Sequence, residues 1–178
     1  PLPLADWLGA HHPGWRTPET ATADWQRAAV GAIAGELARR INDAALVNPV
    51  NLVALALLAT PRATADAAAL ARQIGHLQAL LSAGQSAAPA DGAACSAAAL
   101  RLAAVHRIDH PLGALIGANA NEAALLAYFR NNVLHLFALP ALVACLIAQH
   151  GPLAEARLRE AVADLFSLMR SSLYLRLE

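Results

Sequence analysis

The 178-residue chain contains no lysine: its 13 basic residues are all arginine, they balance 13 acidic residues, and they are scattered. A nucleic-acid footprint is built from a clustered basic face, so that class of partner is not expected. Aromatic residues are also scarce, at 4% of the chain. The core must therefore come from small aliphatic side chains on closely approaching helices. Two cysteines, Cys95 and Cys145, are too few for a disulfide framework and have no metal-ligand spacing. Cys145 lies in an apolar helical run and is expected as a buried thiol, in keeping with a reducing cytoplasm. Pro1 to Ala10 lacks the basic-then-apolar pattern of a secretory signal. The nearest approach to a membrane span, Val133 to Ala148, is 16 residues long and interrupted by His135 and Pro140. A spanning helix needs about 20 apolar residues, so this segment is expected as a buried helix. There is no Gly-x-Ser-x-Gly, no usefully spaced Cys–His pair and no phosphate-cradling glycine loop.

What the chain does have is alanine, about a quarter of its residues, followed by leucine. That composition favours helix. The expected fold is all-α, or mainly α with one small β-hairpin, as a multi-helix bundle around a kinked central helix. Pro1-Leu2-Pro3-Leu4 and His11-His12-Pro13-Gly14-Trp15 read as connecting structure, with both histidines as exposed turn residues rather than metal ligands. Thr22 or Asp24 can cap a helix to Ile41, with Glu36 and Arg40 paired at i, i+4. Asn48-Pro49 is a cap followed by a first-turn proline, opening a short helix from Val50 to Ala59 that is apolar nearly all round. Asn42, Asp43 and Asn51 flank it as caps and turn contacts. Thr64 and Asp66 are expected to start a helix to Ser82, and a further alanine-rich helix covers Ala94 to Val105. Arg107-Ile108 and Leu115-Ile116 form a hairpin, giving a winged-helix-like succession whose wing carries Arg107 and little else. Asn119 and Glu122 have capping-box spacing and open the central helix, which runs to Gln149 with a kink at Pro140. Leu153 to Leu173 is a last amphipathic helix.

The central helix carries the one concentration of polar chemistry. Tyr128, Asn131, Asn132 and His135 fall at i, i+3, i+4 and i+7 and would share one stripe. Arg130 projects from the other side, among Val133, Leu134 and Phe137, where a guanidinium needs a partner. Two readings compete. In one, the stripe is a buried polar network that fixes helix register and Arg130 braces the fold internally. In the other, Arg130 and the amides serve a substrate or a second domain. Internal bracing is the expectation.

Tyr-Phe-Arg-Asn-Asn-Val-Leu-His-Leu at 128–136, with Leu139-Pro140 behind it, resembles a block of bacterial membrane-bound glycerol-3-phosphate acyltransferases that lies beyond their catalytic domain. Pro1-Leu2-Pro3-Leu4, Arg40-Ile41-Asn42-Asp43-Ala44 running into Asn51-Leu52, and Leu173-Tyr174-Leu175-Arg176 resemble the same family in the same order. The resemblance implies a parent that transfers a fatty acyl group from acyl-CoA or acyl carrier protein to the sn-1 hydroxyl of glycerol 3-phosphate in phospholipid synthesis. It implies attachment to the cytoplasmic face of the inner membrane, with this fragment itself soluble. Such enzymes use a His-x4-Asp box, in which the carboxylate orients the imidazole as general base. The residues five positions beyond the seven histidines are Arg16, Thr17, Leu81, Pro111, Leu115, Pro140 and Glu155, so no such box is present. The chain is therefore expected to have no catalytic, metal or cofactor residues of its own and to be inactive alone. Residues 1–21 would be a connecting segment and 22–178 a helical domain whose partner is the parent's catalytic domain. Tyr128, Arg130, Asn131, Asn132 and His135 are the substrate-binding or domain-bracing candidates. The alternative is a stand-alone helical module that binds a protein or lipid.

Overall fold

The computed structural model describes residues 2–17, 23–82, 84–88, 91–102 and 104–173, the side chains at 23, 24, 171 and 172 excepted. The expected cap Thr22, Pro1, and 174–176 of the terminal segment lie outside the described residues, as does the side chain of the other expected cap, Asp24. Two compact units are present, one ending at Ala44 and the other spanning Ala45–Leu173.

The first unit holds α1 (Leu4–His11) and α2 (Ala23–Asp43). The N-terminal prolines do not prevent a helix, contrary to expectation. Pro3 occupies the N-cap position, and its carbonyl accepts from the N–H of Trp7 at 3.0 Å. Proline is tolerated at a helix start because no backbone donor is required of it there. His11 is consequently the last residue of α1 rather than a turn residue. In α2 the expected pair forms, with Arg40 Nε 2.8 Å from Glu36 Oε1, and Arg39 joins it at 3.2 Å.

The core of the second unit is built on α3 (Pro49–Leu58), not on the 128–142 stretch. Asn48 caps α3, Pro49 is its first residue, and Asn48 and Asn51 exchange reciprocal side-chain bonds in a capping box. Val50, Leu52, Val53 and Leu57 are all buried. Burying each such side chain contributes about 1.5–3 kcal/mol, against about 0.5–2 for a cap. Burial thus holds α3 in place, and the cap decides where it begins.

Around α3 pack α4 (Ala67–Ala79), α5 (Gly92–Arg101), α6 (Ala120–Asn131) and a sheet of β1 (Thr64–Asp66), β2 (His106–His110) and β3 (Gly113–Gly117). The sheet is antiparallel in the order β1-β3-β2. The expected hairpin is β2–β3. Strand β1 was not expected: Thr64–Asp66 was read as the first turn of a helix, whereas these residues pair with Leu115–Gly117 and Asp66 caps α4 by accepting from Ala69 N–H at 2.8 Å. Three residues are too short to show alternation, and their partner lies some fifty positions away. With β1 added, the order α3-β1-α4-α5-β2-β3 fills out the winged-helix arrangement.

The expected single central helix is two. The capping box of Asn119 and Glu122 opens α6, but α6 ends at Asn131 and α7 (Leu134–His150) departs at 86°. The break falls at Asn132-Val133 and not at Pro140, through which α7 runs on. Two consecutive asparagines are poor helix formers. Val133, only 1% exposed, leaves helical geometry to enter the core at φ −126°, ψ −1°. Nor is α7 a buried helix: Phe137, Ala138 and Leu146 are its only buried residues. Cys145 is exposed, correcting the expected buried thiol, and Cys95 is the buried one. Burial, then the nearby Asp91 carboxylate, push the Cys95 thiol pKa up. The chain closes with α8 (Glu155–Leu173), which packs on α7.

Helix α5 approaches α4 so closely at Gly92 that a Cβ there would collide with the backbone carbonyl of Ala71. Gly92→Ala is therefore expected to destabilise the chain by about 1–3 kcal/mol, as overpacking does. Denaturant unfolding checks this; an unchanged midpoint would show that the α4–α5 contact is loose.

Candidate functional site

The bend between α6 and α7 separates the residues expected to share a stripe. Tyr128, on the last turn of α6, is 64% exposed and meets Phe129 edge-on at 5.7 Å between ring centroids. Asn131 ends α6 and Asn132 caps it, its backbone N–H bonding to the Tyr128 carbonyl at 3.3 Å; both side chains are exposed. His135 lies beyond the bend in the first turn of α7, half-buried. A stripe at i, i+3, i+4 and i+7 requires continuous helix, and the bend interrupts it. The four residues do not form a buried network.

Arg130 is not enclosed by Val133, Leu134 and Phe137. Its side chain is half-exposed, with Nε and Nη2 donating to Asn131 Oδ1 at 3.2 and 3.1 Å. Among the described residues no carboxylate pairs with it. The outcome is a polar corner of Tyr128, Arg130, Asn131 and Asn132 at the bend, with guanidinium N–H groups left over to donate to an anion or a carbonyl.

The corner is tied to the core by a link that sequence reading missed. Asn51 Nδ2 donates to the Phe129 carbonyl at 2.7 Å, across 78 positions. This carbonyl is among the last four of α6, which have no helical partner of their own. The expected capping contact of Asn51 is present, its Oδ1 accepting the Asn48 N–H inside the helix that Asn48 caps; nothing local signals its second bond.

A second polar cluster sits at the other end of α6. His106 Nδ1 of β2 lies 2.7 Å from Glu122 Oε2, which also accepts the Asn119 backbone N–H at 2.7 Å. In the first unit His11 stacks on Trp7 at 4.2 Å, and a shallow cavity of 210 Å³ is lined by His11, His12, Pro13, Gly14, Trp15 and Trp25. Among the described residues no group of His, Cys, Asp and Glu is placed to hold a metal ion.

The Glu122 carboxyl is held below the ordinary carboxylate range, first by the Asn119 N–H and further by His106, against desolvation acting the other way. A depressed carboxylate pKa stabilises the fold above the unfolded value, about 4.3, and that contribution is lost as pH falls through the lower folded value. Glu122→Gln keeps an acceptor for the Asn119 N–H but removes the charge. The variant should be less stable than the parent sequence at neutral pH, with the gap closing on acidification. Urea unfolding at several pH values tests it; a pH-independent gap would rule the charge out.

Comparison with known proteins identifies the family of the chain. The family described as "Glycerol-3-phosphate acyltransferase C-terminal region" matches residues 1–178. The glycerol-3-phosphate acyltransferases of Pseudomonas fluorescens (strain SBW25) and Pseudomonas putida (strain GB-1) are 34% and 35% identical to this chain, over 99% of it and 22% of their own length. That of Xanthomonas campestris pv. campestris is 35% identical over 98% of the chain and 21% of its own length. The chain thus spans about a fifth of these relatives. No solved structure matches it. By a family match over residues 1–178 and by 34% identity over 99% of its length, the chain belongs to the family of glycerol-3-phosphate acyltransferase C-terminal regions.

Proposed function

We propose that this chain is the non-catalytic helical portion of an enzyme that transfers a fatty acyl group from acyl-CoA or acyl carrier protein to the sn-1 hydroxyl of glycerol 3-phosphate, at the cytoplasmic face of the bacterial inner membrane. The acyl transfer belongs to the remainder of the parent. No histidine in this chain stands in a His-x4-Asp box, the arrangement in which a carboxylate orients the imidazole that takes the proton of an attacking hydroxyl. Its contribution is the polar corner at the α6–α7 bend, presented to the catalytic part.

One observation carries this reading: the half-exposed Arg130 side chain is held, among the described residues, by Asn131 and by no carboxylate. A guanidinium bracing its own fold would be expected against a carboxylate or a buried carbonyl of the same domain. Held by a neutral amide, it keeps its charge and most of its donors for something else, either a carbonyl or carboxylate of the catalytic domain or the phosphate of the substrate. Tyr128, Asn131 and Asn132 supply further donors and acceptors beside it. The amide of Asn51 sets the direction in which the corner faces.

The winged-helix arrangement does not make this a nucleic-acid reader. The single basic residue of α5 is Arg101, and Arg107 on the wing is paired with Asp109 at 2.8 Å. The alternative of a stand-alone module draws on Leu112, 92% exposed at the tip of the β2–β3 turn, which suits an apolar contact with another protein.

Arg130→Ala separates bracing from service. The thermal stability of the chain should stay within about 0.5 kcal/mol, as for other exposed positions. In the full-length parent the same change should lower kcat/KM for glycerol 3-phosphate by about tenfold or more, the loss of one charged hydrogen bond. Melting curves and acylation kinetics decide it; a large loss of stability with unchanged kinetics would return Arg130 to an internal role.

A further inference from the structure

We propose that the exposed side of α7 is the surface on which the remainder of the parent acyltransferase docks. The inference rests on the reading that this chain is one part of such an enzyme, and it identifies the contact face.

Helix α7 has 17 residues and no Asp, Glu, Lys or Arg among them. At 1.5 Å per residue it is about 25 Å long. A surface helix of a soluble domain ordinarily keeps charged side chains on its outer face. Here the outer face has none. Leu139 is 47% and Ile147 45% exposed, and Ala141, Ala144, Cys145 and Ala148 are exposed along the helix between and beyond them. At 100° per residue the last four share one face with the buried Phe137 and Ala138, so an apolar face that starts in the core runs on uncovered along the rest of the helix. Such a surface is unfavourable in water and marks an interaction site.

What covers it follows from two observations. The chain accounts for only 22% of the length of its Pseudomonas relatives, so a parent of that kind brings a large partner already joined to this region. A lipid surface fits less well. Helices that lie in a bilayer interface carry arginine or lysine on their polar side; α7 has neither, and Arg157 and Arg159 of the adjacent α8 are engaged by Glu160 and Glu155 at 2.6 and 2.8 Å. No single described helix is long and apolar enough to cross a membrane, and the α6–α7 pair that passes on length and composition together is bent by 86°. The occupant is therefore protein: an apolar face of the catalytic part, packed closely on small side chains.

Cys145 sits in the middle of this face and reports on it directly, since thiol reactivity requires access. In the full-length parent, with Cys145 as the reporter thiol, maleimide labelling in the folded enzyme should be at least about 100-fold slower than in urea, both in lipid nanodiscs and in detergent micelles. Ala144→Arg, which places a charge on the docked face, should raise the labelling rate at least about tenfold. Labelling of the folded enzyme within a few-fold of the unfolded rate would overturn the proposal. So would protection present in nanodiscs and lost in detergent, because lipid would then be the cover. Failure of the underlying reading shows separately, as undiminished glycerol-3-phosphate acylation by a parent lacking 45–173.

Discussion

The rest of the second unit depends on the buried amide of Asn51. Only 2% exposed, it accepts the Asn48 N–H at 2.8 Å and donates to the Phe129 carbonyl at 2.7 Å. A buried polar group left without a partner costs about 1–3 kcal/mol, so both bonds are obligatory once α3 is buried. The first sets where α3 begins. The second draws the end of α6 against that beginning, so one side chain links the start of the core helix to the corner that carries the polar residues.

Several features follow. With its Phe129 carbonyl taken by Asn51, α6 closes on a tight turn in which the Val133 N–H bonds to the Arg130 carbonyl at 3.2 Å. Val133 then plugs into the core, and α7 leaves at a steep angle instead of continuing α6. The core is complete without most of α7: α3, α4, α5, α6 and the sheet supply it, and α7 adds little beyond Phe137. The bend thus has two products, an outward polar corner and an uncharged helix whose apolar side is uncovered. Both are surfaces that a larger enzyme can use.

Much of this was legible locally. The caps Asn48 and Asn119 and the first-turn Pro49 are set by residues within a few positions and appear as read; the hairpin forms too, with its turn at Pro111-Leu112 because Asp109 and His110, expected in the turn, extend β2. A helix apolar nearly all round, as α3 was expected to be, has to be buried on every side, and α3 is. What failed was non-local. Continuous 3.6-residue periodicity across 128–135 suggested one helix because nothing in those residues announces the bond from Asn51. Strand β1 was hidden because its pattern exists only in its pairing with β3. The apolar run from 133 was taken as buried on hydrophobicity alone, which cannot tell burial within this chain from burial against a partner. The family resemblance was legible because four short blocks kept their order, and it held over the whole chain.

The central claim is that α3, through Asn51, aims the α6–α7 corner at the catalytic part of the enzyme. Amide hydrogen exchange of the full-length parent, measured with and without Asn51→Ala and read alongside its acylation rate, tests this most directly. The account predicts that loss of the amide speeds exchange across 129–136 and lowers activity, while β2 and β3 keep their protection. Unchanged exchange at the bend, or faster exchange there with full activity, would contradict it.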